Sequence, residues 1–248
     1  MIILEISYLS WMLVYPVILI QWIQSEALPA TYLMLFAVSL FLKLTSFHHV
    51  CYDNRYLIRR IKAQKKPEQA VEGLATMFNV NESTFALAAT YPNNLDLKHF
   101  VRFCVAPTCC FQFVYPTSQS IRLGYLLKRM LEFAACYAFL YYLIYQHMIP
   151  IGAAAIPHFK NRDYFQIVLS TLHMAVPASY AWLTVFYSTF HSWLNFLAEL
   201  TQFADRRFYS DWWNAGNLSE YWRKWNQPIH NYLLRHIYFP LRRQGCPA

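Results

Sequence analysis

Glycine is scarce in this chain, with 5 among 248 residues. That leaves little room for a glycine-rich loop of the kind that cradles phosphates. Charge is scarce as well, at 14% Asp, Glu, Lys and Arg, against about 25% in an ordinary soluble domain. The six cysteines (Cys51, Cys104, Cys109, Cys110, Cys136, Cys246) contain no CxxC pair. They read as free thiols, with no disulfide framework and no metal site. No basic leader and no small-residue cleavage site accompany the first apolar run, so it reads as a membrane span and not as a signal peptide. No internal repeat is present.

What the chain has in abundance is apolar and aromatic side chains, 57% and 19% of the total. The mean hydropathy of +0.20 averages long apolar runs with polar loops. Four runs reach the roughly 20 apolar residues that cross a bilayer core as helix: about 1–23, 28–47, 126–149 and 165–200. Pro29 suits the first turn of the second run, where a missing N–H is harmless. The fourth is longer than one crossing needs, and Pro177 is expected to divide it, giving a long kinked span or an interfacial helix followed by a span. The stretch 149–163 reads as a short loop. Residues 48–102 carry the densest charge and read as a solvated loop with a helical start. Residues 91–118 are aromatic, amphipathic and broken by proline, which places them at the membrane interface. The fold class expected is all-α: polytopic transmembrane helices with interfacial amphipathic helices and long cytosolic loops, in a single partial domain over 1–248.

Net charge is +8 with a pI near 9.2. In a chain so apolar this balance points away from nucleic acid and towards a membrane face or an anionic substrate. Of 21 Lys and Arg, twelve lie from Lys43 to Arg129, seven from Arg206 to Arg243, and two, Lys160 and Arg162, between. Basic loops stay cytoplasmic, so both long loops are expected on the cytosolic side. Two glycosylation sequons, at Asn81 and Asn217, then go unused.

The informative stretch is FYSDWWNAGNLSEYWRKWNQPIHNYLLRHIYFPLRR, 208–243. Its four tryptophans, four tyrosines and basic clusters suit the boundary between headgroups and acyl chains. Asn217 can cap a helix, with Glu220 reaching back. Trp222, Asn226, Ile229 or His230, Leu233 and Ile237 then recur at helical spacing, and Pro228 kinks that helix or starts a second one. Periodicity alone favours an ordinary interfacial amphipathic helix in which Asn226 is a turn residue and His230 a hydrogen-bonded histidine.

Phe208 to Asn214 reads FYSDWWN, and this resembles the FYxDWWN motif of the membrane-bound O-acyltransferase family, in its sterol and diacylglycerol acyltransferase branch. AELTQFADR before the motif (198–206), WRKWNQPIH after it (222–230) and RHIYFPLRR (235–243) are similar to the acyl-CoA:diacylglycerol acyltransferases of that branch. FLKLTSFHHV, YPNNLDLKHFVRFCVAPTCCF, FVYPTSQSIR and LLKRMLEF resemble the family in order and rough spacing, so the likeness runs from about Phe41 onward.

The resemblance implies a multi-pass enzyme of the endoplasmic reticulum membrane that moves a long-chain acyl group from acyl-CoA to the hydroxyl of diacylglycerol. It needs no cofactor beyond acyl-CoA as co-substrate, and a homo-oligomer is expected. By the same resemblance Asn226 is the catalytic asparagine. Phe208, Tyr209, Asp211, Trp212, Trp213, Asn214, Trp222, Trp225, His230 and Arg235 then contribute to an acyl-CoA-binding region over about 206–243. The chemistry agrees. An alcohol is a weak nucleophile and needs a base, the developing oxyanion needs a fixed donor, and CoA phosphates need basic side chains at the cytosolic mouth. The family's general-base histidine lies in an apolar helix past the basic tail, so it is expected beyond Ala248 and the 248 residues alone are expected to be inactive. His147, His173 and His191 lie within apolar segments, where an ionisable group is a functional candidate, but the FHS around His191 resembles a structural part of the family pattern. Sterol esterification remains the alternative reaction, because FYxDWWN serves both branches. A non-catalytic membrane segment that binds acyl-CoA is the alternative in another class. A transporter would need paired charges or broken helices near mid-membrane, and only Pro177 hints at one.

Overall fold

A computed structural model describes residues 2–63, 91–93 and 95–243. Of the charged loop expected over 48–102, residues 64–90 and 94, with the sequon at Asn81, lie outside the described residues, as does Cys246. Among the described residues the architecture is helical, as the apolar runs require, and four helices there are long and apolar enough to cross a membrane: Leu4–Ile23, Pro29–Tyr56, Leu123–Lys160 and Tyr164–Leu200. Two compact units are distinguishable, Met1–Tyr115 with Ser210–Ala248, and Pro116–Tyr209.

In the first unit α1 (Ile2–Ile23) and α2 (Ala27–Ala63) form a hairpin. Glu5 and Tyr8 of α1 both meet His48 of α2, Tyr8 through a hydrogen bond and Glu5 at 3.8 Å. Glu5 and Tyr8, polar groups inside the apolar run, thus have a partner across the hairpin. Helix α2 continues well past the apolar run that marks it, because the charged residues that follow keep helical conformation. The amphipathic α3 (Leu97–Val105) ends against α2. Lys43 Nζ donates to the carbonyls of Phe103, Ala106 and Thr108 at 2.9, 2.6 and 2.8 Å. Phe103 is in the last turn of α3, where carbonyls lack a helical partner and a cation is favoured, and Ala106 and Thr108 belong to the turn that follows it.

The second unit holds α4 (Leu123–Leu143), a π turn (Ile144–Met148) and α5 (Ile149–Lys160) in one line, then α6 (Tyr164–Phe186), a π segment (Tyr187–Trp193) and α7 (Leu194–Leu200). One expectation fails here, and another is decided between its two forms. The stretch 149–163 is helical as far as Lys160, running on from the π turn with Pro150 inside it. At Pro177 the fourth run takes the form of one long span, since α6 passes through the proline. A proline removes one ladder bond, and transmembrane helices tolerate that loss; the interruption falls instead at the π segment ten residues later.

With so few glycines, helix ends close on other residues. Gln24, Arg162 and Gln202 have φ of 51°, 55° and 54°. At each, the following N–H reaches back five residues: Ser25 to Ile20 at 3.1 Å, Asp163 to His158 at 3.0 Å and Phe203 to Ala198 at 2.7 Å. This is the Schellman closure in which glycine usually sits. A side chain in that conformation costs about 1–2 kcal/mol, offset by carbonyls that would otherwise be orphaned. Asp163 then caps α6, accepting from the Gln166 N–H.

Candidate functional site

The tail of the first unit begins with a 3₁₀ turn, Trp212–Asn214, followed by α8 (Leu218–Trp225) and α9 (Gln227–Leu233). Asn217 caps α8, accepting from the Glu220 N–H at 2.8 Å. Glu220 reaches back to the Gly216 N–H at 2.9 Å, one residue before the cap. Lys224 joins the turn to the helix, at 3.0 Å from Asp211 and 2.8 Å from Glu220. Its ammonium holds both carboxyls below the usual range, and Glu220 and Asp211 in turn raise the Lys224 ammonium.

Around this triad the rings form a ladder. Trp212 meets Trp213 and Tyr221 edge to face at 5.8 and 5.9 Å, Tyr221 meets Trp222 at 5.4 Å, and Trp222 meets Trp225 at 5.9 Å. Trp213 and Trp222 remain mostly exposed, as an anchor facing lipid or ligand requires. Asp211, Trp212, Trp213, Trp222 and Trp225 are therefore brought together, and Asn214 closes their turn through its N–H to the Asp211 carbonyl at 3.1 Å.

Asn226 separates α8 from α9. Its φ of −140° ends the first helix, and its Oδ1 accepts from the Ile229 N–H at 3.2 Å to cap the second. Pro228 stands in the first turn of α9, so it starts a helix and does not kink one. The single helical face expected from Trp222 to Ile237 is consequently broken at Asn226. With Oδ1 committed to the cap, the side chain's remaining hydrogen-bonding group is the Nδ2 amide, a donor. His230 follows one turn later, its N–H on the Asn226 carbonyl at 2.9 Å.

Past α9 a π turn, Leu234–Tyr238, leads into α10 (Phe239–Arg243). It carries Arg235 and a neighbour that sequence reasoning passed over, His236. His236 Nε2 lies 2.7 Å from Oγ of the fully buried Ser46, and its Nδ1 lies 2.9 Å from His49 Nδ1. His49 Nε2 stands 3.8 Å from Asp53, and the Phe111 N–H donates to Ser46 Oγ at 2.8 Å. Burial, then the charge of Arg235, pushes His236 down to about 3, which keeps it neutral. The signal in the sequence was the polar string SFHHVCYDN inside a span, but its partner lies 190 residues away.

The second unit holds the first half of the motif. Phe208 is buried, and Tyr209 Oη lies 2.9 Å from His191 Nδ1. Glu199, with no exposed surface, is gripped by Arg122 (backbone N–H 2.7 Å, Nε 3.1 Å, Nη2 2.9 Å) and by Arg206 (2.5 Å). The Arg122, Arg129 and Arg206 guanidiniums lie 4.7, 4.8 and 5.4 Å from the Tyr125 ring centre, a cation–π arrangement on one aromatic. Between α4 and α6 runs a groove of about 370 Å³ lined by Ala135, Cys136, Phe139, Tyr180, Leu183, Thr184 and Tyr187.

These polar clusters stand inside or beside apolar helices, an expensive placement that function commonly explains, and comparison with known proteins agrees. The description of the membrane-bound O-acyltransferase family matches residues 3–246, nearly the whole chain. The chain belongs to the membrane-bound O-acyltransferase family. It is 37% identical over 246 residues to diacylglycerol O-acyltransferase 1A of Glycine max, covering 99% of this chain and 46% of that protein. It is 38% identical over 213 residues to diacylglycerol O-acyltransferase 1 of Bos taurus, covering 86% and 42%. For the Arabidopsis thaliana diacylglycerol O-acyltransferase 1 the figures are 36% over 233 residues, 94% and 40%. The chain thus spans under half the length of these curated relatives.

Proposed function

We propose that this protein serves the transfer of a long-chain acyl group from acyl-CoA to the hydroxyl of diacylglycerol, giving triacylglycerol in the endoplasmic reticulum membrane, with its basic loops on the cytosolic side. The observation that carries the reading is the likeness to diacylglycerol O-acyltransferases of plants and cattle across most of the chain, together with the cap geometry of Asn226. In the reaction the acceptor oxygen bonds to the thioester carbonyl carbon and the carbon–sulfur bond breaks. CoA leaves as the thiol, carrying the proton that the hydroxyl surrenders. The negative charge that gathers on the carbonyl oxygen calls for a donor held in place beforehand. Asn226 supplies one, because its own cap bond orients the carboxamide and leaves Nδ2 to donate. Asp211, Trp212, Trp213, Asn214, Trp222 and Trp225 form the aromatic entrance for acyl-CoA, with Phe208, Tyr209, His230 and Arg235 as its further contacts.

The test is to express the protein from its own gene in cells without triacylglycerol synthesis and follow labelled acyl-CoA into lipid. Triacylglycerol is the expected product; steryl ester would move the acceptor to a sterol, and no labelled lipid would sink the reading. Within that assay Asn226→Asp separates the two jobs of the side chain. Asp keeps the cap and loses the donor, so turnover should fall on the order of 10²–10³-fold with the unfolding midpoint retained. Undiminished turnover in Asn226→Asp would remove the donor role.

A further inference from the structure

Tyr209 is the second residue of FYSDWWN, and the group that holds its hydroxyl, His191, lies outside the motif. His191 belongs to the π segment Tyr187–Trp193, where the Leu194 N–H reaches back to the Thr189 carbonyl. Such segments are rare, and they cluster at functional sites because they re-aim side chains that a regular helix would place elsewhere.

Two contacts set the His191 ring, and a third holds its backbone. It stacks on Tyr187 at 4.7 Å and 26°, its own carbonyl accepts from Asn195 Nδ2 at 2.8 Å, and Tyr209 lies beyond it, edge-on to Phe186 at 5.2 Å. Tyr187 also lines the apolar groove between α4 and α6, so the histidine stands between a surface suited to hydrocarbon and a motif residue.

The polar neighbours have partners of their own. Glu132 pairs with Arg129 at 2.9 Å and accepts from Ser192 at 3.4 Å. Among the described contacts, only Tyr209 takes a hydrogen bond from or to the His191 ring. Were the ring there for packing alone, an apolar side chain would fill the same stack without the cost of a polar ring in a span.

We propose that His191 is a positioning residue: it fixes the rotamer of Tyr209 so that the hydroxyl meets the incoming acyl-CoA in one orientation. This rests on the acyl-CoA reading given above for the motif. Without His191 the tyrosine keeps its ring contact with Phe186 but loses the bond that orders its hydroxyl. Losing one hydrogen bond corresponds to an affinity loss on the order of ten-fold.

The experiment is photo-crosslinking of the membrane-embedded protein with a photoreactive long-chain acyl-CoA, titrated to saturation. His191→Ala is expected to raise the half-saturating concentration about ten-fold while leaving maximal labelling unchanged. His191→Gln, whose carboxamide can bond the same hydroxyl, is expected to restore most of it. Tyr209→Phe should match His191→Ala, and the double variant should be no worse than either single one. Additive losses, or a lowered unfolding midpoint with unchanged half-saturation and no rescue by Gln, overturn the proposal and leave acyl-CoA binding intact. Absence of label in the unaltered protein overturns both.

Discussion

Residues 199–209 and 211–225 are near neighbours in sequence and use the same chemistry, acidic and basic side chains among large aromatics, yet they are built in opposite ways. In the first stretch the carboxylate is inside: Glu199 has no exposed surface and takes bonds from two arginines and a backbone N–H. In the second the charges are outside, where Lys224 ties Asp211 and Glu220 across the surface of a turn and a short helix. The difference teaches that the worth of an ion pair is set by what remains when one partner is removed. Inside, a charge is stranded away from water; outside, water takes the partner's place.

That contrast can be broken experimentally. The largest stability effect is expected for Glu199→Gln, which strands Arg206 and removes the anchor of Arg122. The loss should fall at the lower end of the roughly 3–5 kcal/mol seen for broken buried pairs, because Arg122 reaches solvent. Thermal unfolding in detergent measures it, and a shift no larger than that of a surface variant would erase the distinction. Asn217→Ala is expected to cost about 1 kcal/mol through loss of the α8 cap, with faster hydrogen exchange confined to the first turn of α8. Exchange spreading into α9 would mean that the two helices form one cooperative piece despite the break at Asn226.

The smallest effect is expected for Lys224→Met, which should leave the unfolding midpoint unchanged at physiological salt. The pH dependence has a definite sign. Asp211 and Glu220 have folded values below their ordinary 3.8 and 4.5. Their contribution is therefore complete above about 4.5 and is lost as pH falls through the lower folded values. Lys224 is raised above 10.5, so its contribution is complete below that pH and is lost on the alkaline side. Between these limits exchange at the start of α8 should not vary beyond its intrinsic rate. A transition near neutral pH would contradict the assignment.

Much of the fold was legible, because crossing a bilayer demands long apolar runs that few other structures require. The ends of those runs were not. The second apolar run covers 28–47, and the helical start expected beyond it carries α2 on to Ala63; hydropathy does not mark where that helix stops, because charged residues continue it. The stretch 149–163 holds two prolines and a glycine, signals that ordinarily end a helix, yet α5 carries both prolines and runs on from α4 through the π turn. Of the site, the tail FYSDWWN to RHIYFPLRR was visible as a pattern. The contacts His191–Tyr209, Ser46–His236 and Lys43 with the end of α3 were not, because each joins residues 18 to 190 positions apart.

The sequence by itself determined which segments can face lipid, which tail carries the aromatic and basic side chains, and which family the chain belongs to. All three are matters of composition and order along the chain. Only the tertiary structure decided which polar group satisfies which. Glu199 rests between two arginines, Asn226 spends its oxygen on a cap, and His191 turns from its π segment to Tyr209. The reason is physical: an apolar run meets its requirement anywhere in the hydrocarbon, whereas a buried donor or acceptor must find a partner within about 3 Å, and packing alone determines which residues come that close.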